Sequence, residues 1–128
     1  MEPTAPVESR HAFKLETLQV STVRLWVAEH ESKIVGTVAL AEIKPTHAEL
    51  KSMRTDPNYR GRGIAAKLLQ HAIADAKARG IDRISLETGT APFFSAARSL
   101  YSKAGFQQSA PFADYLEDPN SVFMSKTI

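Results

Sequence analysis

A long amphipathic helix between two short strand-like segments is the feature that most constrains the fold of this 128-residue chain. Over residues 63–79 the apolar residues recur at the spacing of one helical face, and Gly80 stands where a helix commonly ends. Residues 47–55 alternate as a strand does, and residues 83–88 form a second short strand. This strand–helix–strand order predicts a right-handed parallel crossover and therefore an α/β fold.

The flanking sequence is expected to complete a single domain over residues 1–128. The other predicted elements are an antiparallel hairpin at 23–28 and 34–40 and a helix at 92–103. One further strand is predicted to begin at Phe106, and a last strand is predicted at 121–126. Residues 13–18 are expected to form a short helix or an irregular approach. Residues 1–22 as a whole are expected to be a loose or truncated segment.

Composition argues against several classes of function. The chain has no cysteine, which removes disulfides, thiolate metal sites, iron–sulfur clusters and a cysteine nucleophile. The 16 Lys and Arg residues against 14 Asp and Glu are too balanced for a dedicated nucleic-acid binder. No apolar run approaches the roughly 20 residues of a membrane span, and no signal peptide is visible. We therefore expect a cytoplasmic protein with no nucleic-acid partner, no membrane partner and no metal.

The turn before the long helix reads Arg-Gly-Arg-Gly-Ile-Ala at residues 60–65. Glycines at 61 and 63 allow a tight turn and a close approach of a ligand to the backbone. The first amides of the following helix have no intrahelical partners and lie at the positive end of the helix dipole. These features predict a phosphate cradle, although a plain tight turn explains the glycines equally well. The spacing matches neither the nucleotide P-loop nor the dinucleotide fingerprint.

Two motifs in this order resemble the GNAT superfamily of acyl-CoA-dependent N-acetyltransferases. The first is Arg-x-x-Gly-x-Ala at residues 60–65, and the second is Leu-Tyr-x-x-x-Gly-Phe at residues 100–106. The stretches at 49–55, 85–89 and 111–121 are similar to the YsnE-like bacterial branch. The resemblance implies a mixed, twisted sheet with helices on both faces and a V-shaped cleft. It also implies that the usual first strand and first helix are missing here.

Acetyl-CoA is the co-substrate that the resemblance implies. Family members hold the CoA pyrophosphate through main-chain amides of the first motif, which here are Arg60, Gly61, Arg62, Gly63, Ile64 and Ala65. The pantetheine arm pairs with the backbone of the preceding strand where it splays, which here means Met53, Arg54 and Thr55. Nearby Lys67 adds positive charge.

Three residues are candidates for the chemistry. The resemblance assigns Tyr101 the protonation of the departing thiolate, with a core tyrosine as the alternative. Glu49 stands where histone-type members carry their general base, with a solvated strand glutamate as the alternative, and Glu87 on the next strand is the rival base. The loop residues that would border the acceptor pocket, or form a solvated turn, are Asp114, Tyr115, Glu117 and Asp118.

The resemblance implies transfer of an acetyl group from acetyl-CoA to a primary amine of a small molecule or peptide, by direct attack in a ternary complex. The alternative is an acyl-CoA-binding sensor or regulatory module with little turnover. That alternative is favoured by the short N-terminus and by Phe94, which replaces an asparagine that contacts CoA in many members. A missing first strand would leave a sheet edge open, so a homodimer is expected.

Overall fold

The structure is a computed structural model that describes residues 14–20 and 22–128, with side chains from Thr22 onward. The strands are β1 Lys14–Val20, β2 Val23–His30, β3 Lys33–Lys44, β4 His47–Thr55, β5 Arg83–Gly89, β6 Gln107–Gln108 and β7 Ser121–Thr127. The α-helices are α1 Ile64–Ala78 and α2 Ser95–Lys103, and 3₁₀ turns at Pro57–Tyr59 and Pro92–Phe94 precede them. None of the described helices is long and apolar enough to cross a membrane.

One mixed sheet contains all the described strands, in the order β1-β2-β3-β4-β5-β7-β6. Strands β4 and β5 pair in parallel across the α1 connection, and the other neighbours are antiparallel. The predicted parallel crossover and the mixed α/β sheet are therefore confirmed.

The main apolar core lies between one face of this sheet and the helices. The apolar stripe predicted for α1 is the buried one, since Leu68, Leu69 and Ala72 are at most 1% exposed. These side chains belong to one cluster with Ala48, Leu50, Ile84, Leu86, Met124 and, from α2, Tyr101. Burying a leucine or isoleucine side chain contributes about 1.5–3 kcal/mol, so this face supplies much of the stability.

In the described residues, α1 and α2 pack against the same face of the sheet. The crossover from β4 to β5 and the one from β5 to β6 advance in the same direction across the sheet. Two right-handed crossovers that advance in the same direction place their helices on the same side. On the opposite face, the aromatic residues Phe112 and Tyr115 of the loop at residues 109–120 pack against Phe123 of β7.

The segment before β2 also differs from expectation. The prediction of a short helix or an irregular approach at residues 13–18 is wrong, because Lys14–Val20 forms β1 and pairs antiparallel with β2. No α-helix precedes β2 in the described residues. Since β1 covers the edge of β2, the open edge that suggested a homodimer is paired, and the homodimer stays a prediction. The expectation for residues 1–12 lies outside the described residues.

Helix α1 sits so close to β3 that position 36 has room only for glycine. A Cβ added to Gly36 would lie 2.7 Å from Ile64 Cγ2 and 3.0 Å from Leu68 Cδ1. Ile64 is the first residue of α1, so this contact sets the distance between the sheet and the N-terminus of the helix.

Replacement Gly36→Ala should lower the free energy of unfolding by about 1–3 kcal/mol, because the added methyl group overpacks this contact. Urea denaturation measures the change. The matched control is Ile34→Ala on the same strand, which is 54% exposed and should change stability by about 0.5 kcal/mol or less. Equal losses in the two variants would contradict the packing argument.

Candidate active site

Strand β4 contains a bulge that bends it. Ala39 of β3 pairs with Lys51, and Thr37 pairs with Arg54, so β4 uses one residue more than β3 over this interval. Ser52 has a positive φ of 56°, which L residues rarely adopt. The Thr37 hydroxyl donates to the Ser52 carbonyl oxygen at 2.7 Å and fixes the bulge. A bulge of this kind increases the local twist and turns the strand away from its neighbour.

Strands β4 and β5 separate just before this bulge. Their pairing covers three residue pairs and ends with Glu49 opposite Ser85. Beyond that point β4 is paired only with β3, while β5 continues to Gly89 paired with β7. The predicted V-shaped cleft is this opening, and Met53, Arg54 and Thr55 lie along its β4 side.

The glycine turn lies at the end of the same strand. Gly61 and Gly63 have φ of 76° and 78°, and a Cβ at either position would meet nothing within 4 Å. The backbone conformation, rather than lack of space, is therefore what requires glycine. No side chain caps α1, so its first amides remain available to an anion, as the sequence predicts.

Positive side chains surround this turn. Arg60, Arg62 and Lys67 are exposed, and none of them forms an ion pair with a residue that the structure describes. The Arg62 guanidinium lies 4.8 Å from the centre of the Tyr59 ring. Asp56 accepts a hydrogen bond from the Asn58 amide at 2.8 Å, which holds the turn that leads into the glycines. The arrangement can bind a diphosphate through backbone amides and free cations.

Tyr101 of α2 lies in the apolar core cluster, which fits the alternative interpretation of this residue as a core tyrosine. It is 6% exposed and packs against Phe106 with ring centres 5.9 Å apart. Burial raises the pKa of Tyr101 to about 12, so the phenol is protonated at neutral pH. Its hydroxyl has no hydrogen-bond partner among the described residues. A protonated, unpaired phenol is also what a proton donor requires.

The two candidate bases lie on the sheet face opposite Tyr101. Glu49 is opposite Ser85 in register, and Glu87 is two residues after Ser85, so both carboxylates are on one face. Glu49 Oε2 accepts a hydrogen bond from the Tyr115 hydroxyl at 2.5 Å. Glu87 Oε2 accepts one from the Ser121 hydroxyl at 2.7 Å. The β4–β5 cleft is the opening in the sheet between this face and that of Tyr101.

Tyr115 connects the two carboxylates electrostatically. The hydrogen bond to Glu49, then burial, then the charges of Glu49 and Glu87 raise the pKa of Tyr115 to about 12. Of the predicted loop residues, Tyr115 therefore lies beside Glu49, and a border with an acceptor pocket stays a prediction. Asp114, Glu117 and Asp118 are exposed, and Asp118 accepts from the Asn120 amide at 2.7 Å as in a solvated turn.

A chain of hydroxyl groups beside Glu49 was not predicted. His47 Nε2 lies 2.7 Å from the hydroxyl of the fully buried Ser85, which lies 2.7 Å from that of Ser125. Burial, then the charge of Arg83, lowers the pKa of His47. The alternation of β4 places His47 and Glu49 on one face, but the partner serines come from distant strands. The residues around His47 in the sequence give no indication that its side chain contacts Ser85.

Phe94 lies at the end of β5, the strand on the far side of the cleft from β4. Its ring lies against Gly89, the last residue of β5, and contacts Phe93 with ring centres 5.0 Å apart. Phe93 is 75% exposed. The apolar Phe94 ring is therefore found at the position where the resemblance implies an asparagine amide in many family members.

A polar cavity of about 380 Å³ lies near Gln107 and Ser125, and none of the predicted site residues lines it.

Similarity to known proteins identifies the family of this chain. The chain matches the Acetyltransferase (GNAT) family over residues 2–106. It is 47% identical to the uncharacterised N-acetyltransferase YsnE of Bacillus subtilis, over 97% of this chain and 82% of that protein. It is 37% identical to the IAA acetyltransferase of Azospirillum brasilense, over 96% of this chain and 80% of that protein.

Solved structures share the fold. A Klebsiella pneumoniae protein assigned to the acyl-CoA N-acyltransferases superposes with a TM-score of 0.83 at 26% identity, covering 91% of this chain and 98% of that one. The PaiA N-acetyltransferase of Thermoplasma acidophilum, solved with coenzyme A, has a TM-score of 0.72 at 25% identity, covering 83% and 62%. Family match, relatives and structures agree, and the chain belongs to the GNAT family of acetyltransferases.

Proposed function

We propose that the protein transfers the acetyl group of acetyl-CoA to a primary amine of a small molecule or peptide, by direct attack in a ternary complex. The observation that carries this proposal is strand β4. Glu49 lies on this strand where the cleft opens. Beyond that point one edge of β4 has no neighbouring strand. The glycine turn follows the end of the strand and leads into α1. One strand thus offers groups for the acceptor, the pantetheine arm and the pyrophosphate.

The cofactor would be held mainly by backbone groups. The amides at Arg60 to Ala65 would bind the pyrophosphate, with Arg60, Arg62 and Lys67 adding unpaired positive charge. Pantetheine would pair with β4 at Met53, Arg54 and Thr55 as an additional strand would. The coenzyme A complex of the Thermoplasma relative supports this assignment at the level of the fold.

The chemistry would use both faces of the sheet. An acceptor amine arrives as an ammonium ion and gives one proton to Glu49 or Glu87. The freed nitrogen lone pair attacks the thioester carbon, a backbone amide near Met53–Thr55 polarises the carbonyl, and the carbon–sulfur bond breaks. The leaving thiolate takes a proton from Tyr101, whose raised pKa keeps that proton in place at neutral pH. The acylated nitrogen then releases its second proton, which restores the Tyr101 phenol, and the glutamate returns its proton to solvent.

A binding module with little turnover is the second candidate. Phe94 favours it, because an aromatic ring replaces the amide that contacts CoA in many family members. The expected homodimer and the cytoplasmic location also stay predictions. Thermal stabilisation by acetyl-CoA with no thiol release from any amine of a broad panel would select the binding module over the enzyme.

Three glycines with the same backbone conformation provide a test of cofactor binding. Gly61, Gly63 and Gly80 have φ of 76°, 78° and 84°, and a Cβ at any of them would meet nothing within 4 Å. Each change to Ala should therefore cost a similar amount of stability, about 1–2 kcal/mol. Only the changes at 61 and 63 should also abolish the rise in melting temperature caused by acetyl-CoA.

Gly80→Ala is the matched control, since Gly80 lies just beyond the opposite end of α1. An acetyl-CoA response that survives in the Gly61 and Gly63 variants, or disappears equally in the Gly80 variant, would contradict the phosphate cradle.

The acid and base assignments predict distinct losses in a thiol-release assay with a responsive amine. Tyr101→Phe should lower kcat by about 100-fold or more, because the thiolate loses its proton donor. Of Glu49→Gln and Glu87→Gln, the variant that removes the base should lower kcat by a similar factor. Glu42→Gln, an exposed glutamate on β3, is the charge-matched control and should leave kcat unchanged. Full activity in both Glu49→Gln and Glu87→Gln would exclude both glutamates as the base.

A further inference from the structure

Tyr115 contacts the candidate base across the fold. It lies on the loop between β6 and β7, and its hydroxyl donates to Glu49 Oε2 at 2.5 Å. The two residues are 66 positions apart in the chain, so the contact depends on tertiary structure. A hydrogen bond to a carboxylate is stronger than one between neutral groups, so it restricts the orientation of the carboxylate.

The phenol ring is held in place by neighbouring aromatic residues. Its centre lies 5.0 Å from that of Phe112 and 5.6 Å from that of Phe123. Phe112 and Phe123 are only 8% and 4% exposed. The Tyr115 amide also donates to the Phe112 carbonyl at 3.0 Å. Although Tyr115 belongs to a loop, its ring is therefore packed against β7 through Phe123.

The second oxygen of Glu49 remains open. Oε1 accepts no hydrogen bond from any residue that the structure describes. Strand alternation places His47 and Lys51 of β4 and Arg83 and Glu87 of β5 on the same face as Glu49. His47 forms a hydrogen bond with Ser85, and Glu87 accepts one from Ser121, so neither side chain is the partner of Glu49 Oε1. Oε1 is the position from which Glu49 can accept a proton.

We propose that Tyr115 is a positioning residue for Glu49: its hydroxyl occupies Oε2 and directs the free Oε1 toward the acceptor amine. This inference rests on the proposed acetyl transfer and selects Glu49 over Glu87 as the base. The acceptor ammonium gives its proton to Oε1, and the Tyr115 proton stays on the phenol throughout. Removing the hydroxyl leaves a carboxylate that can rotate away from the acceptor.

A double-mutant cycle tests this coupling in the intact chain. Tyr115→Phe keeps the ring and removes only the donor, so the fold should be preserved. In thiol release at neutral pH we expect kcat to fall about 10–100-fold, with the KM for acetyl-CoA unchanged.

In the Glu49→Gln background, the same Tyr115→Phe change should alter kcat by about twofold or less, since the partner carboxylate is already gone. Leu116→Ala is the control, because it changes an 82% exposed side chain on the same loop, next to Tyr115 in the chain. It should leave kcat unchanged.

The possible failures are distinguishable. Absence of thiol release by the unmodified protein would overturn the proposed function. With that activity present, equal losses from Tyr115→Phe in the two backgrounds would overturn the positioning role alone. A loss of kcat in Ser121→Ala but not in Tyr115→Phe would also overturn it, because Ser121 donates to Glu87.

Tyrosinate absorbance provides a readout that needs no activity. Because Glu49 is the first cause of the raised pKa of Tyr115, Glu49→Gln should let this phenol ionise at a lower pH than the value of about 12 in the unmodified chain. The Tyr115→Phe variant identifies which part of the absorbance change belongs to Tyr115. An unchanged titration in Glu49→Gln would show that the hydrogen bond is not formed and would overturn the proposal.

Discussion

Strands β4 and β5 pair over only three residues, and every candidate functional group depends on where that pairing ends. The bulge at Ser52 turns β4 away from β5 and leaves one edge of β4 without a neighbouring strand. Holding a non-glycine residue at positive φ costs about 1–2 kcal/mol, and the hydrogen bond from Thr37 helps to offset this cost. Without the bulge, the two strands could continue their ladder and close the cleft.

The sheet separates the two halves of the proposed chemistry. The helix-bearing face is apolar and contains Tyr101, whose pKa is raised to about 12 by burial. The opposite face carries Glu49, Glu87 and the phenol of Tyr115, whose pKa is raised for a different reason, the hydrogen bond to a carboxylate. A gap in the sheet is therefore necessary if an acid on one side and a base on the other are to act on one thioester.

Placement of both helices on one face is the reason that the second face can be polar. Two right-handed crossovers in the same direction place both described helices on the other face. Among the described residues, the aromatic loop residues Phe112 and Tyr115 cover part of the second face instead. This arrangement follows from strand order, in which β7 lies between β5 and β6, and the linear pattern of elements did not reveal that order.

The amino-acid sequence by itself determined the local features of this protein. The stripe of α1 and the glycines of its preceding turn are encoded by residues close in the chain, and both appear as predicted. The strand at Lys14–Val20 was missed because its regularity comes from pairing with β2. Only the tertiary structure decided that Tyr115 bonds Glu49, that Ser121 bonds Glu87 and that His47 reaches Ser85. These partners are far apart in the chain and meet only because the register of the sheet brings them together.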